Sequence, residues 1–499
     1  MTVEATIKHI DRVRPEISAS LQPERRAMLG QFMTPAAVAR YMTSLFTIPS
    51  GGSVRLLDPG AGLGALSASF IYRWQRQAEA GTNLEVTAYE VDGELRKHLE
   101  RHLASCLEDA TIGSTLAAGV LPYDFIQAAA NPLDFGTRAN FTHAIMNPPY
   151  KKIGGDSMHR KWLRTCGIET VNLYSAFVAL ALQMLVDGGE LVAIIPRSFC
   201  NGPYYRPFRE LMLRLASIEH LHLFGSRSKA FKDDSVLQEN VILKLVRKRK
   251  QGTVTVSACA DGTFGDYAER VCDFAEIVNP SDPEKFIHIP RGERAAAGAP
   301  PRHFPHSLAD LGVEVSTGPV VDFRLKAQLR KEPGADSAPL LYPCHLEAAS
   351  VSWPQPAAKK PNAIALDDGT RRWLYPTGCY TLVRRFSAKE EKRRVVAAVV
   401  RPSDLGAADL IGFENHLNVF HSGKRGLPEE LACGLCAYLN STALDQEFRA
   451  FNGHTQVNAT DLRSLKYPDA RALRRLGRWF MQAAAPDQAQ IDAKIQELA

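Results

Sequence analysis

The sequence predicts a doubly wound α/β domain that is followed by a mixed α+β domain. Short apolar runs alternate with helical patterns from residue 30 to residue 250, the order expected of a sheet covered by helices on both faces. A glycine-rich turn, Gly60–Ala65, follows the first strong apolar run and leads into a helix. Beyond a proline- and alanine-rich stretch at 290–308, the pattern changes to short strands and turns.

Composition and charge restrict the class of protein. The 499 residues are 45% hydrophobic and 23% charged, as in soluble proteins with two or three domains. No apolar stretch approaches the roughly 20 residues of a membrane span, and the N-terminus lacks a signal-peptide pattern. The net charge of +6 permits nucleic-acid binding without requiring it. Nine scattered cysteines favour reduced thiols in a cytoplasm, and the pair Cys433 and Cys436, in an apolar helical context, predicts core packing.

The N-terminal region predicts two helices before the first strand. Residues 1–29 are predicted to form a charged helical segment that carries no catalytic or binding residues. The following helix is expected to begin after Thr34, a candidate N-cap, with Pro35 as its first helical residue.

The glycine turn indicates a site where the backbone approaches a ligand closely. Glycines permit this approach because they carry no Cβ atom. The span Gly60–Ala65 also satisfies the dinucleotide pattern G-x-G-x-x-G/A, so a nicotinamide cofactor is an alternative. Asp58, at the end of the preceding strand, argues against that alternative because its carboxylate would repel a pyrophosphate and attract a cation.

Two further acids follow predicted strands. The strand Leu84–Glu90 ends in a carboxylate that is well placed to accept hydrogen bonds from both hydroxyls of a ribose. Glu90 is therefore assigned to that contact. A possible apolar strand, Ala117–Leu121, leads into Asp124 and Phe125, while Asp134-Phe135 forms a rival pair further along. The strand before Asp124 favours the first pair.

The segment Asn147-Pro148-Pro149-Tyr150 is the strongest chemical signal in the chain. It follows the apolar run Ala144–Met146, and its two prolines end that strand abruptly in a rigid loop. Ligands bind at the carboxyl ends of the strands in an open α/β sheet. The Asn147 amide oxygen and a neighbouring peptide carbonyl offer two acceptors to one flat amine, and Tyr150 can cover a planar group. The motif therefore predicts a site for a planar amine such as adenine or a primary amide.

This motif resembles the Asp/Asn/Ser-Pro-Pro-Tyr/Phe/Trp signature of the amino-methyltransferases that use S-adenosylmethionine. In that family, a Gln/Tyr-Phe/Tyr-Thr-Pro segment before the glycine turn holds the methionine end of the cofactor, and here Met33 is an insertion into that pattern. An acid-aromatic pair after the third strand accepts from the adenine amine of the cofactor and covers its ring. The resemblance thus implies cofactor contacts from Phe32, Thr34, Pro35, Asp58, Pro59, Gly60, Gly62, Glu90, Asp124 and Phe125.

The same resemblance implies how the target amine is held. Asn147 and the Pro148 carbonyl would accept hydrogen bonds from its two N–H groups, and Tyr150 would stack on the base. The catalytic set is therefore Asn147, Pro148, Pro149 and Tyr150. Family members often place a second aromatic against the other face of the base, and Phe231 is the candidate for that role.

The second half of the chain predicts a nucleic-acid-binding domain. After a connecting segment and linker at 251–308, basic residues recur through 309–470 with aromatic residues among them. They include Lys359, Lys360, Arg371, Arg372, Arg384, Arg385, Lys392, Arg393 and Arg394. The run Gly453–Arg463 resembles the target-recognition region of adenine methyltransferases from type II restriction–modification systems, which assigns His454, Thr455, Gln456 and Asn458 to DNA. Thr460 is a candidate cap for a helix beginning at Asp461, and residues 471–499 predict a terminal helix and tail.

The order of these segments resembles the gamma group of adenine-specific DNA methyltransferases. The resemblance implies transfer of a methyl group from S-adenosylmethionine to the N6 amine of an adenine rotated out of duplex DNA, in a bacterial or archaeal cytoplasm. The modification would protect the DNA from a separate cognate restriction endonuclease. No metal-nuclease constellation is evident, so neither a metal nor cleavage activity is expected.

Three alternatives belong to other classes. A protein glutamine methyltransferase also ends its fourth strand in Asn-Pro-Pro-Tyr, but it usually lacks a large C-terminal domain. An RNA base methyltransferase is a second alternative. The third, an inactive DNA-binding subunit, is opposed by the intact residues of the cofactor turn and by Asn147.

Overall fold

The computed structural model describes residues 1–20, 33–77, 79, 81–109, 115–130, 140–225, 239–290, 304–357, 359–387, 391–452, 456–483 and 486–498. The chain divides into two compact units, Met1–Ala295 and Ala296–Ala499. The predictions for Phe32, Phe231, His454 and Thr455, and the rival pair Asp134-Phe135, lie outside the described residues. No described helix is both long enough and apolar enough to cross a membrane.

The first unit is built on one nine-stranded sheet with the order β3-β2-β1-β4-β5-β7-β6-β8-β9. The strands are β1 (Ser53–Pro59), β2 (Asn83–Tyr89), β3 (Thr115–Leu121), β4 (Phe141–Met146), β5 (Leu185–Pro196), β6 (Ala216–Phe224), β7 (Asn240–Arg247), β8 (Val254–Cys259) and β9 (Ala268–Cys272). Strands β1 to β5 are parallel, whereas β7 is antiparallel to both β5 and β6. Because the strand order reverses between β1 and β4, a crevice opens at their carboxyl ends.

Helices cover both faces of this sheet, as the alternation of strands and helices predicts. They are α1 (Val3–Ser20), α2 (Ala36–Ser44), α3 (Ala65–Gln77), α4 (Gly93–Glu108), α5 (Phe125–Ala129), α6 (Met158–Thr165), α7 (Leu173–Met184), α8 (Arg206–Leu215) and α9 (Phe274–Ile277). Neighbouring strand residues face opposite layers: Leu56 belongs to the core formed with α1 to α4, and Leu57 to the core formed with α5, α7 and α8. The doubly wound α/β fold is confirmed.

Three details of the first unit differ from the prediction. The predicted catalytic domain ends at residue 250, but the sheet continues through β8 and β9, because Arg247–Lys250 connects β7 to β8 rather than ending the domain. The alternating pattern from Asn240 to Leu245 predicts the last strand of the domain, but β7 lies between β5 and β6 and is buried along most of its length. The sequence also predicts that Gly188 and Gly189 end a helix, but α7 ends at Met184 and both glycines lie within β5.

The second unit combines two small sheets with a group of helices. One sheet has six strands in the order β10-β20-β17-β18-β14-β13, and the other has five in the order β11-β15-β12-β19-β16. These strands are β10 (Glu314–Thr317), β11 (Leu329–Arg330), β12 (Ser337–Leu341), β13 (Leu346–Glu347), β14 (Ser350–Val351), β15 (Ala363–Ala365), β16 (Leu374–Pro376), β17 (Tyr380–Arg384), β18 (Ala397–Val400), β19 (Leu410–Phe413) and β20 (Leu417–His421). The helices are α10 (Asp368–Arg371), α11 (Glu429–Leu439), α12 (Thr442–Phe451), α13 (Ala459–Ser464), α14 (Ala470–Gln482) and α15 (Gln488–Leu498).

Helix α11 forms the centre of the helical core in the second unit. Cys433 and Cys436 lie on it, both are buried, and no disulfide bond joins any of the nine cysteines, so the predicted core role is confirmed. Helix α14 packs backbone to backbone against α11. A Cβ atom on Gly434 would overlap the carbonyl oxygen of Leu473, and one on Gly477 would overlap that of Glu430.

Candidate active site

A cavity of about 320 Å³ opens at the carboxyl ends of β1, β2 and β4. The glycine turn lines one wall, Glu90 after β2 lines the next, and Asn147 after β4 lines a third. These three positions lie on both sides of the point where the strand order reverses. The cavity therefore joins the two motifs that the sequence analysis assigned to a cofactor and to a target amine.

The glycine turn has a backbone conformation that other residues rarely adopt. Gly60, Gly62 and Gly64 have φ angles of +77°, +57° and +85°. At Gly62 no atom lies within 4 Å of the position of a Cβ atom, so bare backbone faces open space. At Gly64 a Cβ atom would lie 2.7 Å from a methyl group of Leu99, so this glycine permits close packing against α4. The turn leaves room for a ligand at Gly62 and brings the helices together at Gly64.

Glu90 holds the glycine turn in place. One carboxylate oxygen accepts from the Gly62 N–H at 2.9 Å and the other from the Asp92 N–H at 2.8 Å. Burial raises the pKa of Glu90, and these two hydrogen bonds oppose that shift. Each oxygen keeps acceptor capacity for a further donor, as the prediction of a ribose contact requires.

Asp58 and Pro59 are buried and do not line the cavity. Asp58 pairs with Ala88 inside the sheet, and its side chain accepts from the Ser67 hydroxyl of α3 at 2.6 Å. Burial raises the pKa of Asp58 to about 7. Its second oxygen makes no hydrogen bond with the described residues. The resemblance implied a direct cofactor contact from Asp58, whereas its carboxyl group lies outside the cavity lining and contacts Ser67.

Asp124 and Phe125 line the cavity beside Glu90. Asp124 is the N-cap of α5, accepting from the Gln127 N–H at 2.9 Å, and it pairs with His159 at 3.1 Å. Burial raises the pKa of Asp124, but the hydrogen bonds from His159 and the helix amides lower that pKa by more. The net shift of the Asp124 pKa is therefore downward. The Phe125 ring is buried, with its centroid 5.0 Å from that of Phe177.

Both polar atoms of the Asn147 side chain make hydrogen bonds within the protein. Its Nδ2 donates to the Thr34 hydroxyl at 3.1 Å, and its Oδ1 accepts from the Tyr150 hydroxyl at 2.9 Å. Tyr150 is also 3.1 Å from the Ile194 carbonyl, and its side chain is not on the cavity wall, unlike Asn147 and Pro149. Thr34 is not the N-cap of α2, because that position is taken by Pro35, which makes no side-chain cap. Thr34 faces Asn147 instead.

Two contributions to the cavity were not predicted from the sequence. Helix α1, expected to carry no chemistry, supplies Ile10 and Arg14, and Arg14 is only 7% exposed. Their i, i+4 spacing places both on one face of the helix, and an arginine within an apolar stripe was the available signal. His159 of α6 is the other contribution, and its pairing with Asp124 had no local sequence signal.

The segment assigned to DNA recognition is partly occupied by internal contacts. Asn458 is the N-cap of α13, which begins at Ala459, so the predicted cap at Thr460 is wrong. Its N–H and side-chain amide both contact the buried Asp461 carboxylate. Gln456 is half-buried, and its carbonyl accepts from the Asn452 side chain at 3.0 Å.

Several of the basic residues in the second unit are structural. Arg394 is 1% exposed and donates to Ser387 and Asn452. Arg384 pairs with Glu391, and Lys360 pairs with Asp322 at 2.8 Å. By contrast, Arg371 and Arg372 are exposed, and the Arg372 guanidinium lies 4.9 Å from the centre of the Trp373 ring. In the described part of the chain, no group of three or more His, Cys, Asp or Glu residues could hold a metal ion.

Comparison with known proteins identifies the family. The signature of the Eco57I restriction-modification methylase family matches residues 84–231. The chain is 46% identical over 499 residues to the type II methyltransferase M.BsuBI of Bacillus subtilis, covering 99% of this chain and 98% of that protein. It is 43% identical over 474 residues to the type II methyltransferase M.PstI of Providencia stuartii, covering 93% and 92% of the two chains.

A solved structure shows the same fold over most of the chain. It is the complex of the type IIL restriction-modification enzyme MmeI with DNA, with a TM-score of 0.51 at 10% identity, covering 99% of this chain and 72% of that chain. The relatives match both units, and the glycine turn, Glu90 and Asn147 surround one cavity. The chain therefore belongs to the type II methyltransferases of restriction–modification systems, and its cofactor is S-adenosylmethionine.

Proposed function

We propose that this enzyme methylates the exocyclic N6 amine of adenine at a specific site in duplex DNA. The observation that carries the proposal is the position of Asn147, whose amide lines the same cavity as the glycine turn and Glu90. A planar amine bound at Asn147 would lie in the same cavity as a cofactor bound at the glycine turn. Positioning of this kind is a large part of catalysis when one reactant is already activated.

The chain has the polar groups to hold each end of S-adenosylmethionine. Gly62 presents open backbone, and Glu90 offers acceptors to the ribose. Because the pKa of Asp124 is lowered, its carboxylate is ionised at neutral pH and is suited to accept a hydrogen bond from the adenine amine of the cofactor. When bound, the cofactor supplies an electrophilic methyl group on a sulfonium.

Asn147 and the Pro148 carbonyl would act on the target amine. By accepting hydrogen bonds from its two N–H groups, they would favour a tetrahedral nitrogen whose lone pair is withdrawn from the ring. The hydrogen bond from Nδ2 to Thr34 fixes the orientation of the amide, and its oxygen keeps acceptor capacity beside the Tyr150 hydroxyl. Pro149 on the cavity wall gives this loop its stiffness. Tyr150 would lie against the base once its hydroxyl contacts adjust.

The substrate we propose is double-stranded DNA. An amine inside a duplex cannot reach a cavity of this kind, so the adenine must rotate out of the stack. The shared fold with MmeI, which was solved in complex with DNA, supports this substrate. We assign phosphate and base contacts to the second unit, with Gln456 and Asn458 among the recognition residues and exposed arginines on the backbone. The methyl group would protect the site from a separate cognate endonuclease.

Identification of the methylated nucleoside tests this proposal. The purified chain is incubated with labelled S-adenosylmethionine and duplex DNA, RNA or a protein extract, and the products are hydrolysed and separated. N6-methyl-2′-deoxyadenosine from duplex DNA is the expected product. Label in N4-methylcytosine, in RNA or in glutamine would contradict the assignment of the base or of the substrate class.

Replacing Asn147 with alanine separates transfer from cofactor binding. Asn147→Ala should lower the methyl-transfer rate by at least about 10²-fold, because an electrostatic contact made to the reacting amine is removed. Affinity for S-adenosylhomocysteine, measured by calorimetry, should change little. Asn279→Ala, at an exposed asparagine of the same unit, is the matched control and should keep full activity. Full turnover in Asn147→Ala would discredit the role given to this amide.

A further inference from the structure

A second cavity, of about 480 Å³, lies between α2 and α3 of the first unit. It shares no lining residue with the active-site cavity. Arg76, on its wall, lies about 16 Å along the axis of α3 from Ala65, where that helix meets the glycine turn. All of the lining residues are polar or aromatic, and they include Arg40, Ser44, Ser69, Tyr72, Arg73 and Arg76.

The three arginines give this cavity a positive charge that nearby acids do not cancel. Arg40 is 3.8 Å from Glu4, which also pairs with Lys8. Neither Arg73 nor Arg76 has a carboxylate within ion-pair distance among the residues that the structure describes. Three arginines converge on one concave surface, and among the described residues only Arg40 of the three has an ion-pair partner, so an oxyanion is the favoured ligand.

The contacts of Arg73 and Tyr72 hold this charge in a defined shape. Arg73 donates to the Gln77 side chain at 3.0 Å and to the carbonyl of Thr43 on α2, so it bridges the two helices. Burial lowers the pKa of Arg73, although the Glu190 charge opposes that shift. The guanidinium groups of Arg40 and Arg76 lie 5.8 and 5.6 Å from the centre of the Tyr72 ring. The ring is therefore covered by cations, which disfavours stacking of a planar base on it.

Ser69 distinguishes this cavity from an ordinary surface patch of arginines. It is fully buried, it lines the cavity, and its hydroxyl has no hydrogen-bond partner in the part of the chain that the structure describes. A serine inside a helix usually bonds the carbonyl one turn earlier or faces solvent. A buried hydroxyl left without a partner is costly. A ligand oxygen in the cavity would remove that cost.

We propose that this cavity is a phosphate-binding site separate from the active site. Its ligand would be a phosphate group with oxygens for the arginines of both helices and for the Ser69 hydroxyl. The group could come from a nucleic-acid backbone or from a free phosphorylated molecule, since the recognition chemistry is the same. The proposal does not depend on which base the enzyme methylates.

The first test measures pyrophosphate binding to the full chain. Thermal unfolding is followed while sodium pyrophosphate is titrated at constant ionic strength, with sodium chloride as the balancing salt. The wild-type melting temperature should rise with pyrophosphate concentration, and the rise should become logarithmic once that concentration exceeds Kd. Arg73→Gln combined with Arg76→Gln should weaken pyrophosphate binding at least tenfold. The control pair Lys97→Gln and Arg101→Gln, exposed on α4 with the same change in charge, should bind as the wild type does.

Ser69→Ala gives a signature that a merely structural serine would not produce. Without pyrophosphate, this variant should melt at a higher temperature than the wild type, because an unsatisfied buried hydroxyl has been removed. With pyrophosphate, its affinity should be about threefold or more below that of the wild type. A variant that is stabilised but binds pyrophosphate normally would overturn the role of Ser69 in the site.

The second test distinguishes the two sources of phosphate. Binding of duplexes of increasing length is measured against salt concentration for the wild type and for the Arg73 and Arg76 double variant. If the site takes a DNA phosphate, the double variant should lose affinity only for the longer duplexes, and its salt slope should fall by about one for each phosphate that it no longer binds. Equal DNA binding with impaired pyrophosphate binding assigns the site to a free phosphorylated molecule. Equal pyrophosphate binding by the wild type and the double variant would overturn the proposal.

Discussion

Glu90 illustrates how one side chain can both shape a loop and face a ligand. Its two oxygens accept from Gly62 in the glycine turn and from Asp92 in the next turn, so it connects the ends of β1 and β2. A glutamine would have one acceptor oxygen and one amide group that donates. One of the two backbone N–H groups would then face a donor.

We expect Glu90→Gln to weaken binding of S-adenosylhomocysteine by about tenfold or more and to destabilise the first unit by about 1–3 kcal/mol. Calorimetry and urea unfolding would measure these two effects. Glu85→Gln is the matched control, because Glu85 lies on β2, the strand that Glu90 follows, and its side chain is exposed. Unchanged binding in Glu90→Gln would exclude the carboxylate as a cofactor ligand.

At the scale of secondary-structure elements, strands β6 and β8 are joined by a buried polar network. His220 and His222 both contact the Ser257 hydroxyl, at 2.7 and 2.8 Å, and Tyr41 of α2 completes the group. Burial lowers the pKa of His220 to about 4 and that of His222 to about 3. Both rings are therefore neutral in the folded protein at pH values where the unfolded chain would be protonated.

These lowered pKa values predict a loss of stability in weak acid. The unfolded state binds more protons below about pH 6.5, so stability falls as the pH drops from there toward about 4. Between pH 7 and 5, the wild type should lose about 2–4 kcal/mol more than the double variant His220→Gln, His222→Gln, as measured by urea unfolding. Asp58, whose pKa is raised, makes stability rise as the pH falls. Because the wild type and the double variant both contain Asp58, its contribution cancels in the difference between them. Parallel pH profiles would contradict the expectation.

The contact between α11 and α14 predicts an unusual response to alanine. Alanine normally favours a helix over glycine by about 1 kcal/mol. In Gly434→Ala, however, the new Cβ atom would overlap the Leu473 carbonyl and force the two helices apart. We expect a loss of about 1–3 kcal/mol in the free energy of unfolding of the second unit. Gly334→Ala, where no atom lies within 4 Å, is the control and should be nearly neutral.

At the scale of the whole molecule, the two units separate chemistry from recognition in the function we propose. Exposed cations of the second unit should then contribute to DNA affinity without reading sequence. Replacing Arg371 and Arg372 with glutamine should weaken binding of specific and non-specific duplexes alike and reduce the salt slope by about one for each phosphate released. Arg474→Gln with Arg475→Gln, exposed on α14, is the control of equal charge. A change in sequence preference instead would assign the pair to base readout.

Much of the fold and of the site follows from local sequence patterns. The glycine turn, Glu90 and the Asn147 loop each stand at the end of a strand whose apolar run is evident, and parallel strands bring such ends together. Features that depend on distant partners were not predictable in this way. The contribution of Arg14 requires α1 to pack against α3 and α4, and the burial of Arg394 requires Asn452 and Ser387 to surround it. Strands β8 and β9 follow a basic turn that locally resembles the end of a domain.

The hydrogen bond between Thr34 and Asn147 joins segments 113 residues apart, one before the first strand and one after the fourth. Both residues line a single cavity, so a ligand that moves either side chain changes the energy of the other. In the function we propose, cofactor and target base would then be thermodynamically coupled. Reciprocity requires that any factor by which the cofactor tightens DNA binding equals the factor by which DNA tightens cofactor binding. One shared contact would thus let the enzyme favour the ternary complex over either partial one.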